Sequence, residues 1–412
     1  MEDIRTTCRS CNSKNLETII DFGNQPWCND FHPINDIYKV NKYPLTLVYC
    51  HDCTLLQLNY TVKKEVMFLN HTYVSGTTNT LKQHFYNVVK ENIAQFNIQP
   101  DDIIMDIGGN DGTKLLQYKS LGMKNTVNVE SATNIADISK TNGIKTINTF
   151  FNETISMKGY EKNVKLMLAS GVFFHLEELH GVIKGIKNSL KDDGIFVVEF
   201  MYAKSMIKNV AFDGIYHEHL CYYTLKSLEA LMKPYGFVVF DAYESPIHGG
   251  SVIAKLCFEH NPLATIKTER YHETVTFENL YMSYENIKGF ANKVKAQKEE
   301  FMKQIQFYID KGINIYAFGA PAKGNTLLNY YGLNSSIIKY IFEKNQLKVG
   351  LYTPGTNIPI VNENEAERLI PNDSIVLTLA WNFFDEIVNN NSNLLNKGIK
   401  FIKPFSTKFE II

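Results

Sequence analysis

The sequence predicts an α/β protein in three parts: a small cysteine-bearing amino-terminal domain, a central domain on a parallel sheet, and a second α/β domain at the carboxyl end. Three observations carry this. Two C-x-x-C pairs, Cys8/Cys11 and Cys50/Cys53, mark out the first part. Strand-like and helix-like stretches alternate over residues 102–199, the rhythm of strands joined by crossover helices. A further strand, glycine turn and helix, "INIYAFGAPAKGNTLLNYYGL", follows a long helical stretch in the last third. The boundaries expected from these shifts are 1–70, 71–265 and 266–412.

Composition sets the outer limits. A chain of 412 residues has room for two or three cored domains of about 100 to 200 residues each. With 44% hydrophobic and 21% charged residues and a net charge of -1, it has neither a disordered make-up nor a field that would recruit nucleic acid or an acidic membrane. The start "MEDIRTTCRSCNSK" has no apolar signal core, and the apolar runs "GIFVVEF" and "SIVLTLAW" are too short to span a bilayer. The expectation is a soluble, cytoplasmic protein, a monomer, with no nucleic-acid or membrane partner.

The paired C-x-x-C spacing is that of a zinc ribbon. Each pair wraps a metal between turn residues, and Cys8, Cys11, Cys50 and Cys53 together complete the closed tetrahedral thiolate shell of a structural zinc ion. Four thiolates leave no open coordination position, so the metal is expected to hold the fold and perform no chemistry. The insert over residues 12–49 is longer than in the shortest ribbons and must form its own loop or strands. Cys28, Cys221 and Cys257 have no such partners and read as core residues.

The central domain opens on "DIIMDIGGNDGTKLL", an apolar strand with an acidic end followed by a glycine turn and a helix. Gly108, Gly109 and Gly112 let backbone approach a ligand closely, and Asp106 or Asp111 can accept hydrogen bonds from it. This is not G-x-G-x-x-G. A second strand, "NTVNVE", ends in Glu130; an acid at that place, about 20 residues after the glycines, suits ribose hydroxyls. Strands "VKLMLASGVFFH" and "DGIFVVEF" follow, with the helical "LEELHGVIKGIKNSL" between them.

Three histidine-bearing segments gather behind this turn. His175 in "ASGVFFHLEEL" stands at the carboxyl end of a strand, the edge at which open α/β sheets bind ligands. "SPIHGGSVIAKL" adds His248, with Gly249 and Gly250 permitting close backbone approach. "IYHEHLCYY" places His217, Glu218 and His219 among tyrosines. Its residues alone leave three readings open: a polar loop, an acid/base centre, or a metal pair at His217 and His219 on one face of a strand. In the last third, "FENLYMSYENIKGFANKVKAQKEEFMKQIQFYIDKG" has helical spacing and reads as a bridge between domains. Beyond it Gly319, Pro321, Lys323 and Gly324 form a turn that is either an ordinary strand-to-helix connection or a phosphate site with Lys323 as a point charge.

Taken in order, the paired C-x-x-C, "YVSGTT", "DIGGNDGTKLL", "IYHEHLCYYT", "HGGSV" and "YAFGAPAKGNTLLNY" resemble the sugar C-methyltransferases that act on nucleotide-linked 4-keto deoxysugars. The resemblance runs from Cys8 to about Trp381. It implies a zinc domain, an S-adenosylmethionine-binding Rossmann-like methyltransferase domain, and a second Rossmann-like domain that helps hold the sugar nucleotide without binding a dinucleotide. It implies methylation at C3 of a hexose, usually carried by dTDP, through an enolate. Carbon becomes nucleophilic beside a ketone only when a proton is removed, which calls for a base and for donors at the forming oxyanion. The resemblance assigns His219 as the base, Glu218 as its neighbour in proton transfer, Tyr216 as a substrate contact, and Tyr73 and His175 to the same cleft, with His217 facing away. It places Ser75, Gly76, Asp106, Gly108, Asn110, Asp111 and Glu130 with the cofactor and His248, Gly249 and Lys323 with the substrate. Metal at His217 and His219 then loses ground, because methyl transfer needs no Lewis acid. Two rival classes are an oxygen- or nitrogen-methyltransferase without a ketone requirement, and a zinc-ribbon nucleic-acid-binding protein, against which the near-zero net charge stands.

Overall fold

A computed structural model describes residues 4–33, 40–68, 73–405 and 410–411. Three sheets follow one another along the chain. The first holds β1 (Leu16–Pro26), β2 (Lys42–Cys50) and β3 (Leu56–Leu58), paired antiparallel, with Cys221–Tyr222 of the central region added at the edge beside β3. Leu45 and Leu47 of β2 and Leu56 and Leu58 of β3 face a core shared with Phe301, Ile305 and Leu328 of the last third. The small domain therefore has no self-sufficient interior, as its size demands.

The central sheet contains β4 (Ile103–Ile107), β5 (Asn125–Glu130), β6 (Lys145–Asn148), β7 (Val164–Ser170) and β8 (Leu190–Met201). After β9 (Cys221–Tyr222), which lies in the first sheet, it is completed by β10 (Phe237–Ser245) and β11 (Ser251–Phe258). Its order is β10-β11-β8-β7-β4-β5-β6, parallel from β4 to β8 and antiparallel at β10 and β11. The chain winds outward from β4 to β6 and then returns to β7 on the other side of β4. That reversal opens a crevice at the strand ends between β4 and β7.

The third sheet repeats the device. β12 (Ile315–Phe318), β13 (Ile338–Glu343), β14 (Ile360–Asn362), β15 (Ile375–Thr378), β16 (Lys400–Lys403) and β17 (Glu410–Ile411) stand in the order β14-β13-β12-β15-β16-β17, parallel except for β17. Here the winding reverses between β12 and β15. The bridge expected as one helical run is three helices, Glu269–Tyr281, Tyr284–Lys288 and Phe290–Asp310. Ser283 breaks it by taking an extended conformation and accepting the Asn286 N–H at 3.3 Å, as an N-cap does.

Candidate active site

A cavity of about 530 Å³ lies between the two reversal points, lined by Gly108 and Glu130 on one side and by Pro321, Lys323 and Asn382 on the other. The small domain reaches it through Asn29, Lys64 and Phe68. All three sequence regions thus meet at one cleft.

On the β4/β5 side the turn leaves no room for a side chain. Gly108 has φ +61, and a Cβ there would stand 2.7 Å from Val172 Cγ2. Glu130 closes the turn: its Oε2 accepts the Asn110 N–H at 3.0 Å and its Oε1 the Ala132 N–H at 2.8 Å. Asn110 in turn accepts the Ser75 N–H at 2.9 Å and donates to Tyr73 O at 3.1 Å, and Asp111 accepts the Gly76 N–H at 3.0 Å. The loop Tyr73–Thr77 is tied over the turn by these bonds. Gly108, Asn110, Glu130, Ser75 and Tyr73 line the cavity, whereas Asp106, Asp111 and Gly76 are not on its wall. Asp106 packs beneath Gly109, and burial pushes its carboxyl up to about 6. A Gly-shaped cradle, open backbone and an acid at the second strand end fit the nucleoside of S-adenosylmethionine.

The stretch Ile215–Leu220 is neither strand nor helix. It is a tight loop between the short helical turn Phe212–Gly214 and β9. His219 N donates to Tyr216 O at 2.9 Å, and Leu220 N to Phe174 O at 2.8 Å. Between these anchors the His219 ring is almost wholly buried, 4.0 Å from the Tyr216 ring and 4.5 Å from the Phe174 ring by centroids. Its Nδ1 stands 2.9 Å from Gly214 O. A carbonyl accepts only, so Nδ1 carries the proton and Nε2 is the acceptor nitrogen. Burial, helped by the neighbouring His175, holds the imidazole well below its usual range, so it is neutral at pH 7. His175 lies 5.0 Å away, centroid to centroid, with Nδ1 2.6 Å from Glu218 O. Glu218 Oε1 accepts from Trp27 Nε1 and Asn29 Nδ2, each at 2.6 Å. The small domain therefore orients the Glu218 carboxylate.

His217 points elsewhere, its Nε2 3.3 Å from Tyr43 O and its ring edge-on to Tyr43. Among the described residues the group of His, Cys, Asp and Glu that can hold a metal is Cys8, Cys11, Cys50 and Cys53, with ligand atoms within 4.8 Å of one another. The sulfurs of Cys8 and Cys53 are 3.5 Å apart and those of Cys11 and Cys50 3.6 Å. A tetrahedron of thiolates at about 2.3 Å from zinc has edges of about 3.8 Å, so the donor set fits.

At the far wall, His248 lines the cavity in a left-handed conformation (φ 54), and burial lowers its pKa to about 4. Gly249 does not line the cavity: a Cβ there would meet Trp381 at 2.6 Å, so this glycine serves the close approach of the third sheet. Lys323 is not an isolated point charge. Its Nζ lies 2.8 Å from Asn382 Oδ1, 3.8 Å from Asp213 Oδ2 and 4.0 Å from the Trp381 ring centroid. Cavity-wall residues without a motif signal are Asn29, Lys348 and Glu199, with Trp27 behind Glu218 and His84 beside Glu199. An acid inside the otherwise apolar "GIFVVEF" was a usable signal for Glu199.

Three family models match the chain in order: "Putative zinc binding domain" over residues 8–68, "Methyltransferase domain" over residues 82–242 and "C-methyltransferase C-terminal domain" over residues 246–405. The chain is 28% identical over 403 residues to C-methyltransferase NovU of Streptomyces niveus, a match covering 96% of this chain and 94% of that one. Among solved structures, the PH0226 protein of Pyrococcus horikoshii OT3 matches at 13% identity and a TM-score of 0.37, over 48% of this chain and 99% of that one. Geranyl diphosphate C-methyltransferase from Streptomyces coelicolor A3(2) matches at 10% identity and a TM-score of 0.33, over 46% and 88%. With a four-cysteine cage in the amino-terminal domain, a nucleoside cradle and a buried neutral histidine sharing the central cleft, and all three family models in sequence, the chain belongs to the S-adenosylmethionine-dependent C-methyltransferases that carry an amino-terminal zinc-binding domain.

Proposed function

We propose that this enzyme methylates a carbon beside the ketone of a nucleotide-linked 4-keto deoxysugar, with C3 as the position and dTDP as the carrier that the sequence resemblance implies. The observation that carries this reading is His219: proton on Nδ1, lone pair on Nε2, neutral and nearly water-free, in a cleft walled by a nucleoside cradle. Bound S-adenosylmethionine supplies an electrophilic methyl group. His219 Nε2 takes the C3 proton, and the resulting enolate supplies the counter-charge that makes a buried imidazolium tolerable. Tyr216 and Tyr73 stand at the cleft as donors for the C4 oxygen, while His175, its Nδ1 proton held by the Glu218 carbonyl, walls the cleft beside His219. Glu218, fixed by Trp27 and Asn29, aligns the loop that holds both histidines. Lys323, already balanced by Asp213, serves the diphosphate as a hydrogen-bond donor more than as a net charge. We take zinc as the ion of the cysteine cage, the chain as a monomer, and 1–70, 71–265 and 266–412 as its domains.

The test is incubation with labelled S-adenosylmethionine and a panel of 4-keto nucleotide sugars, followed by mass and NMR analysis of the product. A single new methyl on C3 is expected. A methyl on oxygen or nitrogen overturns the carbon assignment, a methyl on C5 overturns the position, and turnover of substrates without a ketone overturns the enolate.

A further inference from the structure

Glu199 is the one ionisable residue in the run Ile195–Met201 of β8. Its side chain is 3% exposed, yet it lines the cavity. Of the other cavity acids, Glu130 has both oxygens engaged by backbone N–H groups, Glu218 has Oε1 engaged by Trp27 and Asn29, and Glu178 pairs with Lys64 at 3.0 Å. Glu199 differs. His84, from the helix Asn79–Phe96, brings Nε2 to 2.8 Å from Oε1 as an ion-pair contact, while neither carboxylate oxygen has a hydrogen-bond partner among the described residues. Burial alone would favour the protonated acid, but His84 and Lys114 hold the carboxylate below its usual range. A buried anion with an open acceptor oxygen is costly unless a ligand completes it.

Its place in the sheet says which ligand. Glu199 pairs with Ser170 of β7 and Ile253 of β11, and β7 separates it from the cofactor turn after β4. His175 follows β7 and His248 precedes β11, so Glu199 stands between the two histidine segments on the acceptor side. We infer that Glu199, positioned by His84, is a specificity-determining contact that accepts a hydrogen bond from a hydroxyl or protonated amine on the sugar ring. This rests on the 4-keto sugar reading above, and it adds that the enzyme selects among such sugars by a polar ring substituent.

The experiment uses the full chain and the variants Glu199→Leu, Glu199→Gln and His84→Gln. Each is assayed with a dTDP-4-keto-6-deoxyhexose, its 2-deoxy and 3-deoxy congeners and its 3-amino congener, and methyl-donor affinity is measured by calorimetry. Wild type should favour one hydroxyl- or amine-bearing sugar over the matching deoxy sugar by about tenfold or more, the scale of a lost charged hydrogen bond. Glu199→Leu should erase that preference through KM, with donor affinity kept within about twofold. His84→Gln should weaken the preference, and Glu199→Gln, which keeps an acceptor oxygen, should retain part of it; these two decide the matter if the leucine variant does not fold. An unaltered preference in Glu199→Leu, or in both milder variants, overturns the inference. Equal loss on all sugars overturns it too, and loss of donor affinity alone would assign Glu199 to the sulfonium instead. Failure of wild type to methylate any 4-keto sugar is a different result: it removes the sugar reading itself, and this inference with it.

Discussion

His219→Asn isolates a single nitrogen. Asparagine keeps a side-chain N–H that can donate to Gly214 O, the bond that now holds Nδ1 at 2.9 Å, so the loop keeps its anchor while the acceptor at Nε2 disappears. A positioned general base contributes a factor of about 10² to 10⁴, or roughly 2.7 to 5.4 kcal/mol of barrier, and kcat should fall by that much. The ring contacts with Tyr216 and Phe174 are lost as well, a stability cost of roughly 1 to 3 kcal/mol for two aromatic pairs, which denaturant unfolding would register separately. The deciding assay follows the proton. In heavy water, wild type with a 4-keto substrate should exchange the C3 hydrogen for deuterium, and the variant should not, while calorimetry shows both ligands still bound. Turnover within about threefold of wild type would remove His219 as the base, the required factor being at least about 10². Lost turnover together with lost substrate binding would make the loop a pocket wall, with the proton taken elsewhere.

Because His219 must be neutral to act and burial lowers its pKa from 6.5, activity should be lost only as pH falls through that lowered value; an acid limb of kcat/KM at or above pH 6.5 would contradict this. Cys50→Ser opens the thiolate cage, so metal content should drop from about one equivalent to less than about a tenth, and the amino-terminal sheet should unfold before the rest; full metal retention by mass spectrometry would refute the cage. Trp27→Phe deletes one 2.6 Å donor to Glu218 and should cost roughly 1.5 to 3 kcal/mol in kcat/KM without changing methyl-donor affinity, and an unaffected kcat/KM would sever the small domain from the chemistry. Glu130→Ala removes the acceptor that joins the Asn110 and Ala132 N–H groups and should weaken S-adenosylmethionine binding by roughly 1 to 3 kcal/mol; calorimetry showing equal affinity would move the ribose site elsewhere.

Local chemistry was legible in the sequence wherever spacing alone dictates geometry. Cys8/Cys11 and Cys50/Cys53 are knuckles whatever lies between them, and the glycine turn at Gly108 with Glu130 at the next strand end follows from a strand-turn-helix pattern. The order of domains was likewise readable, since alternating strands and helices impose parallel sheets. What the sequence left open was contact between distant segments. Nothing in "NQPWCND" announces that Trp27 and Asn29 hold Glu218 across 191 and 189 positions, and nothing in "HGGSV" shows that Gly249 makes room for Trp381 and not for a ligand. Asp106 and Asp111 had the right residue type at the right turn, and only the packing places them off the cavity wall. Where the "IYHEH" histidines point was set in the same way, by the Gly214 carbonyl that fixes one nitrogen of His219 and the Tyr43 carbonyl that draws His217 aside. Motif spacing reports on torsions within one segment, whereas burial, tautomer and charge pairing depend on which other segments fold against it, and those are set by the whole chain at once.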